Sequence, residues 1–203
     1  MSDFEQQVRN LIKTSIATKQ ELLGEHELIA TVARVSEALV KTFNHGNKVM
    51  LFGNGGSAAD SQHIAAEFIG RFGFDRPALA ALALSVNTSC LTAIGNDYGF
   101  DQAFARQIEA LGRPGDMAIG ISTSGNSPNV LLGVETAKKM GIKTVALTGH
   151  TGGKMKAIAE YCLCVPSSDT PRIQECHILI GHIIAELAEE TIFHEHKSGV
   201  PRS

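Results

Sequence analysis

The sequence predicts an α/β fold: a doubly wound sheet of five parallel strands, with two helices ahead of the first strand. Three features carry this expectation. Short apolar runs alternate with segments of helical periodicity, the pattern of repeated strand–helix–strand units. The runs are apolar almost throughout, which fits strands covered on both faces. Two of them end in polar loops rich in glycine or serine, where open sheets of this kind place their ligands.

From the amino terminus, residues 3–23 and 26–45 read as helices separated by Gly24. Phe4, Val8, Leu11, Ile12 and Ile16 recur at helical spacing in the first, and Leu28, Ile29, Val32, Val35, Leu39 and Val40 in the second. No earlier strand exists for either to connect, so they must pack on the sheet or on another subunit. A long amphipathic terminal helix suits an oligomer interface. Residues 1–46 are expected to serve packing and oligomerisation, 47–194 to form the α/β domain, and the polar stretch 195–203 to form a flexible tail.

Residues 48–67 organise the rest. Lys48 to Phe52 reads as a buried strand, Gly53-Asn54-Gly55-Gly56 forces a tight turn, and Ser57 suits the N-cap of a helix from Ala58 to Glu67 with Asp60 in its first turn. Such an element offers an anion bare N–H groups and the positive end of a helix dipole. His63 and Glu67 lie about 40° and about 6 Å apart on that helix, so they share a face.

The remaining strands are expected at Leu79–Leu84, Met117–Ile121, Lys143–Leu147 and Tyr161–Val165. Helices are expected at Asn87–Ile94, Asp101–Leu111, Pro128–Met140, Gly152–Ala159 and Pro171–Phe193, with 95–99 a polar turn. With strand order 2-1-3-4-5 the crevice lies between the first and third strands, so the loops 53–57 and 122–127 should meet there.

Composition narrows the classes. The 43% hydrophobic fraction supports one large core, and a net charge of −3 gives no bulk reason to expect nucleic acid or an anionic membrane. No transmembrane run and no signal peptide are expected, which points to a cytoplasmic protein with reduced thiols. Cys90, Cys162, Cys164 and Cys176 show no CxxC spacing, and Cys162 and Cys164 read as small hydrophobes on a strand.

Each constellation has a plain alternative. Ser122-Thr123-Ser124-Gly125-Asn126-Ser127 can satisfy phosphate oxygens, or be a loop that ends in an N-cap at Ser127. Neither glycine nor serine loop fits the P-loop or GxGxxG patterns. His63 with Glu67 is half of a metal or acid–base site, or a solvated helical pair. On the last helix His177 reads as structural, and His182 as a core histidine, a ligand or a proton carrier.

Together these residues resemble the phosphosugar-binding SIS domains, and within them the phosphoheptose isomerases, which share the flavodoxin-like strand order. The resemblance spans nearly the whole chain. It rests on Gly-Asn-Gly-Gly-Ser at 53–57, His63-x-x-x-Glu67, Gly-Asn-Asp at 95–97, Ser-Thr-Ser-Gly-Asn-Ser at 122–127, Leu-Thr-Gly at 147–149, and Arg-Ile-Gln-Glu-x-His at 172–177 followed by His182. The serine loops alone would indicate only the superfamily.

The resemblance implies a cytoplasmic homotetramer that converts sedoheptulose 7-phosphate into glycero-manno-heptose 7-phosphate, the first step of heptose supply for lipopolysaccharide core or other glycans. It implies one zinc ion per subunit on His63, Glu67, Gln174 and His182, with Glu67 and His182 as the acid–base pair. It implies substrate contacts from Asn54, Gly55, Gly56, Ser57, Glu67, Asn96, Asp97, Ser122, Thr123, Ser124, Ser127 and Gln174. Some members place an aspartate directly before Arg-Ile-Gln-Glu; this chain has Pro171 there and Asp169 two residues earlier, so that aspartate's role is not carried over. An alternative is a non-catalytic SIS adaptor, such as a regulator that associates with a replication initiator. The presence of both Glu67 and His182 argues against it, because a binding module has no chemical need for that pair.

Gln174 and His182 stand about 80° and about 12 Å apart on an ideal helix. To share one ion they must lean together, come from different subunits, or the helix must begin after Gln174. A site assembled at a subunit interface is the expectation.

Overall fold

The computed structural model describes residues 2–194; the tail at 195–203 lies outside the described residues. Strands β1 (Val49–Gly53), β2 (Ala81–Ala83), β3 (Met117–Ile121), β4 (Lys143–Thr148) and β5 (Tyr161–Cys164) form one sheet in the order β2-β1-β3-β4-β5. Every pairing is parallel. The order is the expected one, so β1 and β3 are neighbours at the switch point.

Alternate residues of β1, β3, β4 and β5 feed two separate cores. Leu51, Ile119, Ile121, Val145, Leu147 and Leu163 face the helices α2 (His26–Asn44), α3 (Gly56–Ile69) and α8 (Thr170–Ile192). Met50, Phe52, Ala118 and Ala146 face the opposite layer, built from α5 (Ala105–Leu111), α6 (Pro128–Lys139) and α7 (Met155–Ile158). This two-sided burial is why the strands read as continuous apolar runs.

Helix α1 (Asp3–Gly24) is held by a capping box at Ser2 and Glu5 and by polar contacts to α8. Ser15 donates to Glu175 at 2.6 Å, and Arg172 donates to the Leu11 carbonyl at 3.0 Å. Its apolar stripe does not enter the core: Phe4, Val8, Leu11, Ile12 and Ile16 are all more than half exposed. Helix α2 takes the other course, with Val35 and Leu39 fully buried.

Several boundaries differ from the sequence expectation. Helix α3 starts at Gly56, capped by Gly55 at φ 55°, so Ser57 lies inside the helix and Asp60 lies beyond its first turn. The turn is made by the one residue with positive φ, not by a side-chain cap. Helix α4 (Thr88–Tyr98) runs straight through Gly95-Asn96-Asp97 and stops only at Gly99, where φ is 88°. Polar composition does not end a helix that still has its hydrogen bonds. Residues 101–111 split into a 3₁₀ turn (Phe100–Gln102) and α5. β2 is cut to three residues because it is an edge strand paired only with β1. α7 is likewise a single turn inside the expected 152–159.

Candidate active site

The glycine turn after β1 and the serine loop after β3 meet at the carboxyl ends of the sheet. Their junction is a reciprocal amide pair. Asn54 donates to the Asn129 side-chain oxygen at 2.8 Å, and Asn129 donates back at 2.9 Å. Asn129 is the second residue of α6 and almost fully buried. Nothing in its local sequence marks it, because its partner lies 75 positions away.

The serine loop is preorganised by its own hydroxyls. Ser122 Oγ lies 2.9 Å from Ser127 Oγ and 3.4 Å from Ser124 Oγ. Ser127 does sit at the N-cap of α6, but its side chain makes no capping bond; the Asn129 side-chain oxygen takes the Val130 N–H instead at 2.9 Å. At Gly125 (φ 66°) a side chain would collide with the Gly152 carbonyl, so the loop passes here only as glycine. Thr123 and Ser124 line a cleft of about 300 Å³ with Gly149, His150, Ser167 and Ile173.

About two turns further along, α3 and α8 bring the titratable groups together. His63 Nε2 lies 2.8 Å from His182 Nε2 and 3.3 Å from Glu67 Oε1. One donor atom from each of the three lies within 4.8 Å of the others. Glu67 and His182, from separate helices, thus come within 4.8 Å of each other in one chain. Phe72 packs beside the His182 ring at 5.7 Å between centroids.

Two imidazole nitrogens and a carboxylate are a zinc-type donor set. Ligands on one ion at about 2.1 Å in tetrahedral geometry stand roughly 3.4 Å apart. The observed 3.3 Å is close to that spacing, while the 2.8 Å between the two rings is a shorter, hydrogen-bond distance. All three donor atoms lie within 4.8 Å, so these residues could hold a metal ion after a small separation of the rings.

Gln174 lies within α8, which begins at Thr170, so the possibility that the helix starts after it is excluded. Its side chain covers Gly56, and its amide stands 3.4 Å from Asp60 Oδ1. It thus links the first turns of α3 and α8. Asp60 is itself buried, with Oδ2 lacking a partner, and burial raises its carboxyl above the usual carboxylate range, with Gln174 and the His63 charge opposing. Sequence reading placed Asp60 only as a helix-start acid; its burial against Gln174 is a tertiary fact. Asn96 and Asp97 lie on the exposed last turn of α4 and are bonded to each other at 2.8 Å. Neither bonds to either loop among the described residues. Asp169 is the backbone cap of α8 and pairs with Arg172 at 3.9 Å.

A family model described as SIS domain matches residues 4–149. A phosphoheptose isomerase from Aneurinibacillus thermoaerophilus is 53% identical over 95% of this chain and 96% of its own length. The chain belongs to the phosphoheptose isomerases of the SIS domain family. A solved phosphoheptose isomerase from Neisseria gonorrhoeae shares its fold with a TM-score of 0.86 and 43% identity, covering 92% of this chain and 99% of that one. One from Francisella tularensis gives 0.88 and 35%, covering 94% and 100%. In this isomerase the match includes the two N-terminal helices as well as the sheet. Among the described residues no helix is long and apolar enough to cross a membrane.

Proposed function

We infer that the protein is a phosphoheptose isomerase acting on D-sedoheptulose 7-phosphate to give D-glycero-D-manno-heptose 7-phosphate. The observation that carries this reading is the meeting of Glu67 with His63 and His182, from separate helices, on the same helix pair that begins at the glycine turn and carries Gln174.

In this reading the N–H groups of Gly55 and Gly56 and the hydroxyls of Ser57, Ser122, Thr123, Ser124 and Ser127 take the phosphate. Asn54, Asn96, Asp97 and Gln174 are assigned to the rest of the sugar. The reaction moves one proton between C1 and C2 and another between their oxygens. Glu67 abstracts and returns the carbon proton, and His182 serves the oxygens. His63, Glu67, Gln174 and His182 would hold one zinc ion per subunit, which when bound polarises the substrate carbonyl as a Lewis acid. The carboxylate has two oxygens, so Glu67 can face His63 with one and substrate with the other.

Assembly as a homotetramer is supported by the exposed apolar stripe of α1, because faces of this kind mark interaction sites. The same helix contacts Arg172 and Glu175, which flank Gln174, so a partner docked on α1 would adjoin the site. This supports a site completed at a subunit interface. The division at residue 46 between an assembly segment and the isomerase domain is part of the same proposal. A cytoplasmic location and a role in heptose supply for lipopolysaccharide core or other glycans rest on the family resemblance. No observation favours the adaptor alternative.

The test is turnover of sedoheptulose 7-phosphate by purified protein before chelation, after it, and after zinc is restored. Turnover that is lost and then regained supports the reading. No turnover at any stage rejects the isomerase, and turnover indifferent to chelator rejects the metal.

A further inference from the structure

We propose that Cys162 and Cys164 on β5 form a dithiol site that chelates a thiophilic ion, such as a trivalent arsenical or a soft divalent cation, between their two sulfurs. Residues two apart on a strand project from the same side. The two Sγ atoms stand 3.5 Å apart, and neither residue is fully buried. Thr148 Oγ1, on the neighbouring strand, lies 3.5 Å from the Cys164 sulfur and 3.7 Å from that of Cys162. Gly152 packs over Cys164, where a β-carbon would approach its sulfur to 3.0 Å.

The spacing is that of a chelate. Two bonds of about 2.3 Å to one ion leave the sulfurs 3.5 Å apart when the angle at the ion is roughly 100°. A disulfide suits the pair less well. It needs Cβ atoms at about 3.5–4.5 Å, whereas residues two apart on an extended strand hold their Cα atoms about 6.6 Å apart, near the upper limit for a bridge. β5 is also fixed in register on β4 through Leu163 and its neighbours, so the backbone is not free to pucker.

The protonation state favours the same use. Cys164 is drawn down to about 6, chiefly by its hydrogen bond from Cys162; burial opposes this, while Thr148, Lys156 and His150 assist. Cys162 is pushed up as the donor of that bond and by burial. The opposite directions favour loss of the Cys164 proton first, after which a single further deprotonation completes a two-sulfur ligand.

With a monosubstituted arsenic(III) oxide, two As–S bonds form and the As=O bond breaks. Its oxygen leaves as water with two protons, from the thiol and from solvent, and no atom changes oxidation state. The His63, Glu67 and His182 cluster offers nitrogen and oxygen donors and does not compete for this probe.

The experiment uses phenylarsine oxide on the full chain, read by native intact mass and by thiol titration. One adduct per chain is expected, stable to excess monothiol, removed by a small dithiol, and accompanied by loss of two titratable thiols. Cys162→Ser and Cys164→Ser should each lose the monothiol-stable adduct, whereas Cys90→Ser and Cys176→Ser should keep it. Unchanged turnover of sedoheptulose 7-phosphate shows that the β5 variants are folded. As a second measurement, Cd²⁺ should produce a sulfur-to-cadmium ultraviolet band that Cys164→Ser abolishes. A monothiol-stable adduct that survives in either β5 variant overturns the proposal. So does its absence from the unmodified chain, or a cadmium band unaffected by Cys164→Ser.

Discussion

His177 and His182 sit on the same helix, about 140° apart around its axis, and they meet opposite fates. His177 is fully buried, its Nε2 3.1 Å from the Thr148 carbonyl, and burial lowers it to about 4. His182 is half-buried and meets His63 and Glu67 from another helix. One imidazole is neutral and ties α8 to β4. The other stands among donors with no hydrophobic reason to be together. Residue type alone does not separate structure from chemistry; convergence of several polar groups from different elements does.

The largest effect that could break this contrast belongs to His182 and Glu67. Glu67→Gln or His182→Asn should lower kcat by roughly 10²–10⁴-fold, the usual worth of a positioned acid or base, with little change in melting midpoint. Steady-state kinetics beside thermal melts decide it, and normal turnover in Glu67→Gln would remove the base assignment.

Next comes the buried histidine, where the effect is on stability. His177 takes its proton near pH 4 in the folded chain but near 6.5 when unfolded, so between these values the unfolded state binds more protons. Stability should therefore fall as pH drops through that window, by on the order of 3 kcal/mol in full. His177→Gln should flatten this part of the pH profile of urea midpoints while leaving turnover near normal. A variant with an unchanged slope would show that His177 does not carry it.

A smaller effect is expected at the junction of the two loops. Asn129→Ala removes both amide bonds to Asn54 and should weaken kcat/KM by about tenfold, equivalent to roughly 1.4 kcal/mol, mostly through KM. An effect confined to kcat would place the junction outside substrate binding. The smallest change belongs to Asp60. Its carboxyl is raised by burial, so the ionised form costs stability, and that cost grows as pH rises through its raised value. Asp60→Asn should slightly raise the melting midpoint at pH 7 and not at pH 3; a lower midpoint at pH 7 would mean that its bond to Gln174 outweighs the burial.

Much of the site was legible in the chain, though not as a site. The glycine turn and the hydroxyl loop stand out because glycine and serine are chosen for backbone and hydroxyl chemistry visible one segment at a time. Asn96 and Asp97 misled as a turn, since three polar residues look like a break while Gly99 makes it. Ser57 misled as a cap for the same reason: the positive φ of Gly55 had already turned the chain. The Asn54–Asn129 pair and the burial of Asp60 under Gln174 left no local mark at all.

What the amino-acid sequence determined by itself was the run of strands and helices, the two-sided burial of the sheet, and which segments are rich in glycine and hydroxyls. These follow from periodicity and backbone preference, which act over a few neighbouring residues. The tertiary structure alone decided that Asn54 pairs with Asn129, that Gln174 rests on Asp60, and that α1 turns its apolar stripe outward while α2 buries its own. Those outcomes depend on how the helices dock on one sheet, and contacts between residues 75 or more positions apart are fixed by packing, not by local pattern.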